Sequence, residues 1–377
     1  MDGGCAMQKH EPLGDARPGR RPSIKRLVLR SPTRNVSADS PKGSGQSWRS
    51  RDWATIKERL RLTVKRAPEV VINVKGSRRS QDSDHAAIEG VLRYMMYISR
   101  NGQLPTFDEH GERSEGREEV RDKHASWNLD MQRMKGMKNE PLHPSFNVIF
   151  SMPAKTDPEK VLEAVQAVAQ ASFQGYQYLM ALHTHETDPA KDAPEHPHVH
   201  LILRAEDEDG NRIYIRKTDL RAWREQFASE LRARGIDANA TSRAERGRSR
   251  KAVGSAEWHI QKRYQDATGP RGSGDASQAR VARFHAAAEE LREGRTEPKP
   301  WEIAMAARRR DVLRELAENA VRLRREGDSE LADQVERFAK DMAPLDSERR
   351  QIQRALVEQV KKRLREHGVD NAEDLSR

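Results

Sequence analysis

The sequence holds 377 residues, with 69 Lys+Arg against 59 Asp+Glu and a hydrophobic fraction of 35%. So small an apolar share excludes one compact core running through the whole chain, and no apolar run nears the ~18 residues that span a bilayer, so no membrane insertion is expected. Cys5 is the only cysteine, which excludes an internal disulfide, a thiolate zinc site and an iron–sulfur cluster within one chain.

The first residues lack the apolar stretch of a secretory signal, and the expectation is a cytoplasmic protein. Its charge is unevenly placed. Residues 1–66 hold 16 Lys+Arg and 6 Asp+Glu, which leaves 53 of each sign in residues 67–377. The basic excess therefore belongs to an N-terminal arm rich in Pro, Ser, Gly and Arg. That composition predicts disorder until the arm meets a polyanion. Within it, Trp53 to Val64 is amphipathic enough for a short helix.

From Glu69 the pattern changes. Val70 to Val74 is a β-branched run closed by Gly76, a buried-strand signal. Asp82 and Ser83 offer caps for a helix from about Asp84 to Ser99. Asn101 to Glu140 is polar and reads as a loop with one helix. Phe146 to Phe150 is a second strand, and Asp157-Pro158 starts a helix carrying Val161, Leu162, Val165, Val168, Ala169 and Phe173. Tyr176 to Leu182 and Val199 to Leu203 are strands three and four. Asp209-Gly210 turns into a fifth, Arg212 to Arg216. Thr218 caps a helix buried through Leu220, Trp223, Phe227 and Leu231, and Gly235 ends it. Beyond Trp258 the sequence is charged and helical, notably over Ala304 to Arg325 and Asp346 to His367. Three units follow: a basic, largely disordered arm at 1–66, an α+β domain at 67–255 and a helical accessory region at 256–377.

Five of the 13 histidines lie between positions 183 and 200. His198 and His200 are two apart in a strand, so both imidazoles share a face while Val199 points to the other. His183 ends the preceding strand and can approach that pair. Three neutral imidazoles suit a divalent ion with open positions. A solvated histidine-rich hairpin is the plainer alternative on spacing alone.

On the helix at 84–99, Ile88, Val91, Leu92, Met95, Met96 and Ile98 make one broad apolar side. Tyr97 points roughly 170° from its centre, so core packing does not explain it, whereas Tyr94 sits at the edge of the apolar face. A tyrosine on a helix near a metal can attack a phosphodiester, although an ordinary surface tyrosine fits the wheel equally well.

Tyr97-Ile98-Ser99-Arg100-Asn101-Gly102, together with His196-Pro197-His198-Val199-His200, resembles motifs of the conjugative relaxases, specifically the single-tyrosine MOBP type of HUH endonucleases related to the T-DNA border nuclease. The resemblance runs on through Asp209-Gly210, Ile215-Arg216-Lys217, the helix bearing Trp223, Asn239-Ala240-Thr241 and Arg246-Gly247, about residues 67–250. It implies a five-stranded antiparallel sheet with flanking helices, Tyr97 as nucleophile, and His183, His198 and His200 as metal ligands. It further implies nicking and rejoining of one DNA strand at a plasmid origin of transfer through a 5′-phosphotyrosine, with Mg²⁺ or Mn²⁺ in use. All-imidazole ligation by itself favours zinc, nickel or copper.

The family's aspartate two residues after the first histidine is replaced by His185, so either His183 or His185 is the first ligand. Glu186 and Asp188 are substitutes for that aspartate, and His196 is at most an auxiliary contact. Arg100, Lys217, Arg243, Arg246, Arg248, Arg250 and Lys251 are the phosphate-contact candidates. The family also implies auxiliary relaxosome proteins and a secretion coupling protein as partners, and export to the recipient attached to DNA. A replication initiator or transposase of the same chemistry, and a DNA-binding protein with a decayed centre, are the competing readings.

Overall fold

The computed structural model describes residues 52–77, 84–130, 143–187, 195–248, 278–343 and 345–366. The expected caps Asp82 and Ser83, and the arm before residue 52, lie outside the described residues. Strands β1 (Val71–Gly76), β2 (Thr106–Asp108), β3 (Arg113–Ser114), β4 (Ser145–Ser151), β5 (Tyr178–His183) and β6 (His198–Arg204) form one sheet in the order β1-β4-β6-β5-β2-β3. Every neighbouring pair is antiparallel.

Helices pack on both faces of the sheet. Helices α4 (Pro158–Ser172) and α5 (Lys217–Ala233) bury Val161, Val165, Val168, Phe227 and Leu231 against Ile72, Val148, Phe150, Met180, Val199 and Leu201. Asp157 caps α4 as its sequence predicts, accepting from the Glu159 N–H at 3.1 Å with Pro158 in the first turn. On the opposite face, α2 (Asp84–Ile98) and α3 (Arg117–Ser126) bury Val91, Met95, Ile98 and Val120 against Leu179, Ala181 and Ile202. Helix α2 packs over β5 and β6, and Lys123 of α3 reaches Asp108 of β2 at 2.8 Å. The same face of β1, carrying Val71, Asn73 and Lys75, is exposed.

The sheet has six strands where the sequence pattern predicts five, and the difference lies at both ends of the count. Arg212 to Arg216 does not form a strand. After the Asp209-Gly210 turn, one antiparallel bridge joins Glu206 to Arg212, and the Ile213 N–H donates to the Ala205 carbonyl at 2.9 Å. Strand β6 is paired with β4 on one side and β5 on the other, so a returning hairpin arm finds no open edge beside it. The missed strands, β2 and β3, are three and two residues long, too short to show alternation. The Asp108 carboxylate closes their turn by accepting from the His110 and Glu112 N–H groups, both at 2.9 Å.

Helices α6 (Gln278–Arg292), α7 (Pro300–Arg325), α8 (Ser329–Lys340) and α9 (Glu348–Glu366) make the C-terminal region helical, as its composition predicts. The helix at the end of the basic arm, α1 (Trp53–Val64), packs into this region. Ile56 and Leu60 join Val312, Leu316, Ala320, Leu323, Leu331 and Val335 in one apolar cluster. Arg59 of α1 meets Glu245 at 2.8 Å, with both side chains buried, and the Asn239 amide donates to Thr63 at 3.0 Å. Trp53–Val64 is thus tied both to the C-terminal helices and to the turn after α5. None of the described helices is long and apolar enough to cross a membrane.

Leu60 is fully buried in that cluster. Leu60→Ala is expected to destabilise the folded protein by about 2–5 kcal/mol in a denaturant titration, the cost of a large-to-small change in a packed core. A helix merely resting on the surface would give a loss near zero.

Candidate active site

The site begins with strand parity. In the β5–β6 ladder His183 stands directly opposite His198, and Ala181 opposite His200. Directly opposed residues of an antiparallel pair share a face, so His183, His198 and His200 emerge together on the α2 side. Val199, Leu201 and Met180 emerge on the other side into the main core. One nitrogen from each of the three rings lies within 4.8 Å of the others. The ring centroids are 4.5 Å apart for His183 and His200, 5.0 Å for His198 and His200, and 5.3 Å for His183 and His198.

All three rings are buried. Burial, helped by His183, His198 and Arg100 nearby, pushes His200 down to about 2, so its imidazole is neutral throughout the physiological range. Each ring is oriented by a partner. His183 Nε2 is 2.7 Å from the Ile98 carbonyl, which only accepts, so that nitrogen carries the proton and Nδ1 keeps the lone pair. His198 Nδ1 donates to the His196 carbonyl at 3.1 Å, leaving the lone pair on Nε2. His200 Nδ1 is 3.0 Å from the Tyr94 hydroxyl. With Tyr94 accepting, the His200 Nε2 lone pair is free to bind an ion. This donor chemistry fits a divalent cation, with two carbonyls and a phenol in the orienting place a carboxylate often takes.

His185 is exposed on the turn after β5 and does not belong to the clustered group of His183, His198 and His200, and Asp188 lies outside the described residues. The His196 ring is 5.4 Å from His198, half-buried, and burial lowers its pKa.

Tyr97 is 49% exposed, its ring 5.7 Å from His200 and 6.1 Å from His183. The buried stripe of α2 is Ala87, Val91, Met95 and Ile98, narrower than the apolar side read from the sequence, with Leu92 and Met96 half-buried at its margin. Tyr97 therefore flanks that stripe by about 120° instead of opposing it, which lets it reach over the histidines. Tyr94 lies between, stacked on Tyr97 at 5.9 Å, and burial holds its phenol far above the usual tyrosine range. Its bond to His200 is the feature that the helical wheel missed, since amphipathicity gives a partly buried residue a side but no partner.

The end of α2 sets the next residue. The Arg100 N–H donates to Tyr97 O at 3.2 Å and the Asn101 N–H to Met96 O at 2.7 Å, a Schellman closure with Arg100 in the left-handed position at φ 51°. Glycine is the usual occupant there, and an arginine costs roughly 1 kcal/mol of backbone strain. The conformation carries the guanidinium back over the site. Arg100 Nη2 is 3.3 Å from His183 Nδ1, and its Cζ lies 5.2 Å from the Tyr97 ring centroid. An ion using the His183 lone pair has to displace that contact.

The other basic candidates scatter. Lys217 is exposed at the start of α5, and Arg243 and Arg248 are exposed on the turn after residue 241. Arg246 is half-buried beside Glu69 at 3.6 Å, and burial raises the Glu69 carboxyl against the opposing pull of Thr241 and Arg246. Its guanidinium thus has a structural partner that the sequence did not reveal. Arg250 and Lys251 lie outside the described residues.

Comparison with known proteins adds three findings. Residues 97–236 match the family model described as "Relaxase: MobA/VirD2-like, nuclease domain". No curated protein matches the chain. A solved structure described as "Molecular Basis of Vancomycin Resistance Transfer in Staphylococcus aureus" is similar at 14% identity and a TM-score of 0.30, over 46% of this chain and 99% of that one. The region similar to that nuclease domain, residues 97–236, holds Tyr97 and all three clustered histidines.

Proposed function

We propose that this protein nicks and rejoins one strand of DNA at an origin of transfer, with Tyr97 as nucleophile and His183, His198 and His200 as ligands of a divalent ion. The observation that supports it most is the placement of an exposed phenol beside three buried imidazoles that share one strand face. The family match gives DNA nicking in conjugative transfer as the general activity.

A divalent ion held by the three rings supplies Lewis-acid charge withdrawal from the non-bridging oxygens of the scissile phosphate. Tyr97 forms the Oη–P bond as the P–O3′ bond breaks. The phenolic proton leaves and the departing 3′ oxygen takes one up, so no net proton is consumed. One phosphodiester replaces another, and the 3′-hydroxyl can later reverse the step without ATP. Arg100, over the Tyr97 ring, adds a positive charge beside the phosphate once an ion has taken its place at His183. Tyr94 is engaged with His200, which favours a single-tyrosine scheme over one with two nucleophiles.

In this reading the 67–255 unit performs the chemistry on single-stranded DNA. The basic residues before 52 add non-specific attraction to it. The helical 256–377 unit receives auxiliary relaxosome proteins and the coupling protein. The enzyme works in the cytoplasm of the donor cell and leaves it attached to the strand.

Three measurements test these assignments. Incubation with end-labelled single strands of the origin and Mg²⁺ or Mn²⁺ is expected to give an SDS-resistant covalent adduct, absent with EDTA and absent in Tyr97→Phe; an adduct that persists in Tyr97→Phe refutes the nucleophile. Tyr94→Phe is expected to weaken Mn²⁺ binding ten- to hundredfold by calorimetry, because the His200 ring loses its orienting partner; an affinity within twofold of the parent removes that role. Arg100→Gly relieves a left-handed arginine, so thermal stability is expected to hold or rise while affinity for the nick-site strand falls severalfold. A fall in both would make Arg100 a structural residue.

A further inference from the structure

Beside Tyr97, α2, the turn after it and α3 line an open cavity of about 620 Å³. It opens along the Arg100-Asn101-Gly102 turn and the start of α3. Gly102 lies at φ +82° with no room for a side chain, since a Cβ there would sit 2.3 Å from the Arg117 backbone nitrogen. This close approach sets Arg117 beside the turn.

The lining has a definite chemistry. Arg93, Arg100, Arg117 and Arg121 surround the cavity, and no acidic side chain lines it. Arg121 pairs with Glu118 at 3.0 Å, while Arg93 and Arg117 make no ion pair among the described residues. Asn101 and Gln103 add exposed amides, each both donor and acceptor. Leu92 and Met96, both half-buried and the latter also packed against the α2 core, form an apolar wall. Arginines for phosphate, amides for a base edge and an apolar wall for a base face are the three parts of a nucleotide site. Tyr97 lines this cavity and also faces His183 and His200, so it is the shared wall between the cavity and the histidine centre.

We infer that this cavity receives one of the two nucleotides joined by the cleaved phosphodiester, with Arg93 and Arg117 on its backbone phosphates and Gln103 on its base. The inference rests on the nicking function proposed above and assigns the specificity next to the nick to α2 and α3. Phosphate oxygens and a base are required together. A free anion satisfies only the arginines, and a peptide acid leaves the amides and the apolar wall unused.

The test uses the full chain and a single-stranded oligonucleotide spanning the nick mapped by the adduct assay. Binding is measured from low to moderate salt for the parent, Arg93→Ala, Arg117→Ala, Gln103→Ala and the paired surface control Arg113→Ala. Each pocket arginine on a phosphate is expected to lower the slope of log Kd against log salt by about 0.7 when removed. The control is expected to leave the slope unchanged. An abasic nucleotide on one side of the nick is expected to weaken the parent about tenfold and to weaken Gln103→Ala by much less, because the side chain and the base are partners. Unchanged slopes for Arg93→Ala and Arg117→Ala, or equal abasic penalties in parent and Gln103→Ala on both sides of the nick, overturn the assignment. The parent's metal-dependent adduct separates the two levels. With the adduct present and these effects absent, the cavity assignment alone fails; with no adduct on any origin strand, the nicking function itself fails.

Discussion

The pairing of His183 against His198 across two antiparallel strands is the constraint on which the rest of the site depends. It works because the register is fixed by something other than histidine. On β6 the residues alternating with the imidazoles are Val199, Leu201 and Leu203, and on β5 they are Tyr178 and Met180, all buried in the main core. A slip of one residue would turn those side chains out of the core and the histidines into it. With β4 and β5 holding β6 on both edges, neither strand can drift alone. The hydrophobic effect that builds the core thus also aligns three polar rings on the far face.

Those rings are then buried by α2, and burial decides their chemistry. A protonated His200 in this setting would face two other imidazoles and the Arg100 guanidinium, so its neutral form wins and leaves a lone pair for an ion. Burial also creates the need for partners. The Ile98 and His196 carbonyls fix the tautomers of His183 and His198, and the Tyr94 hydroxyl takes one nitrogen of His200, which aims the other nitrogens. Two of those three partners come from α2, the helix that presents Tyr97. Tyr97 and the orientation of the three rings therefore share one rigid element, and movement of α2 would disturb both.

Much of this was legible in the sequence, because the signals are periodic. The two-residue step from His198 to His200 dictates a shared face in any strand, and the Asp157-Pro158 start and the Val161 to Phe173 spacing dictate α4. What escaped was non-periodic. The β2 and β3 strands are too short to alternate, and the fifth strand read at Arg212 to Arg216 fails for a topological reason, the occupied edges of β6. The Arg246–Glu69 pair joins residues far apart in the chain, as does the Arg59–Glu245 pair that ties α1 to the turn after α5. A charge count assigned Trp53–Val64 to a basic arm, since net charge carries no information about which helix finds an apolar neighbour.

Arg100 illustrates the last kind of information a sequence conceals. At the helix end, conformational energy favours glycine in the left-handed position, and Gly102 is present only two residues later. The chain places arginine there, and the structure uses it to set a guanidinium between Tyr97 and His183 and along the wall of the neighbouring cavity. The backbone cost is roughly 1 kcal/mol. An arginine on an ordinary helical position of α2 would project along the helix surface toward its N-terminus, away from the turn. The left-handed position instead directs the side chain across the end of the helix, over the Tyr97 ring and toward His183. Local stability and charge placement conflict at this residue, and charge placement determines which side chain stands there.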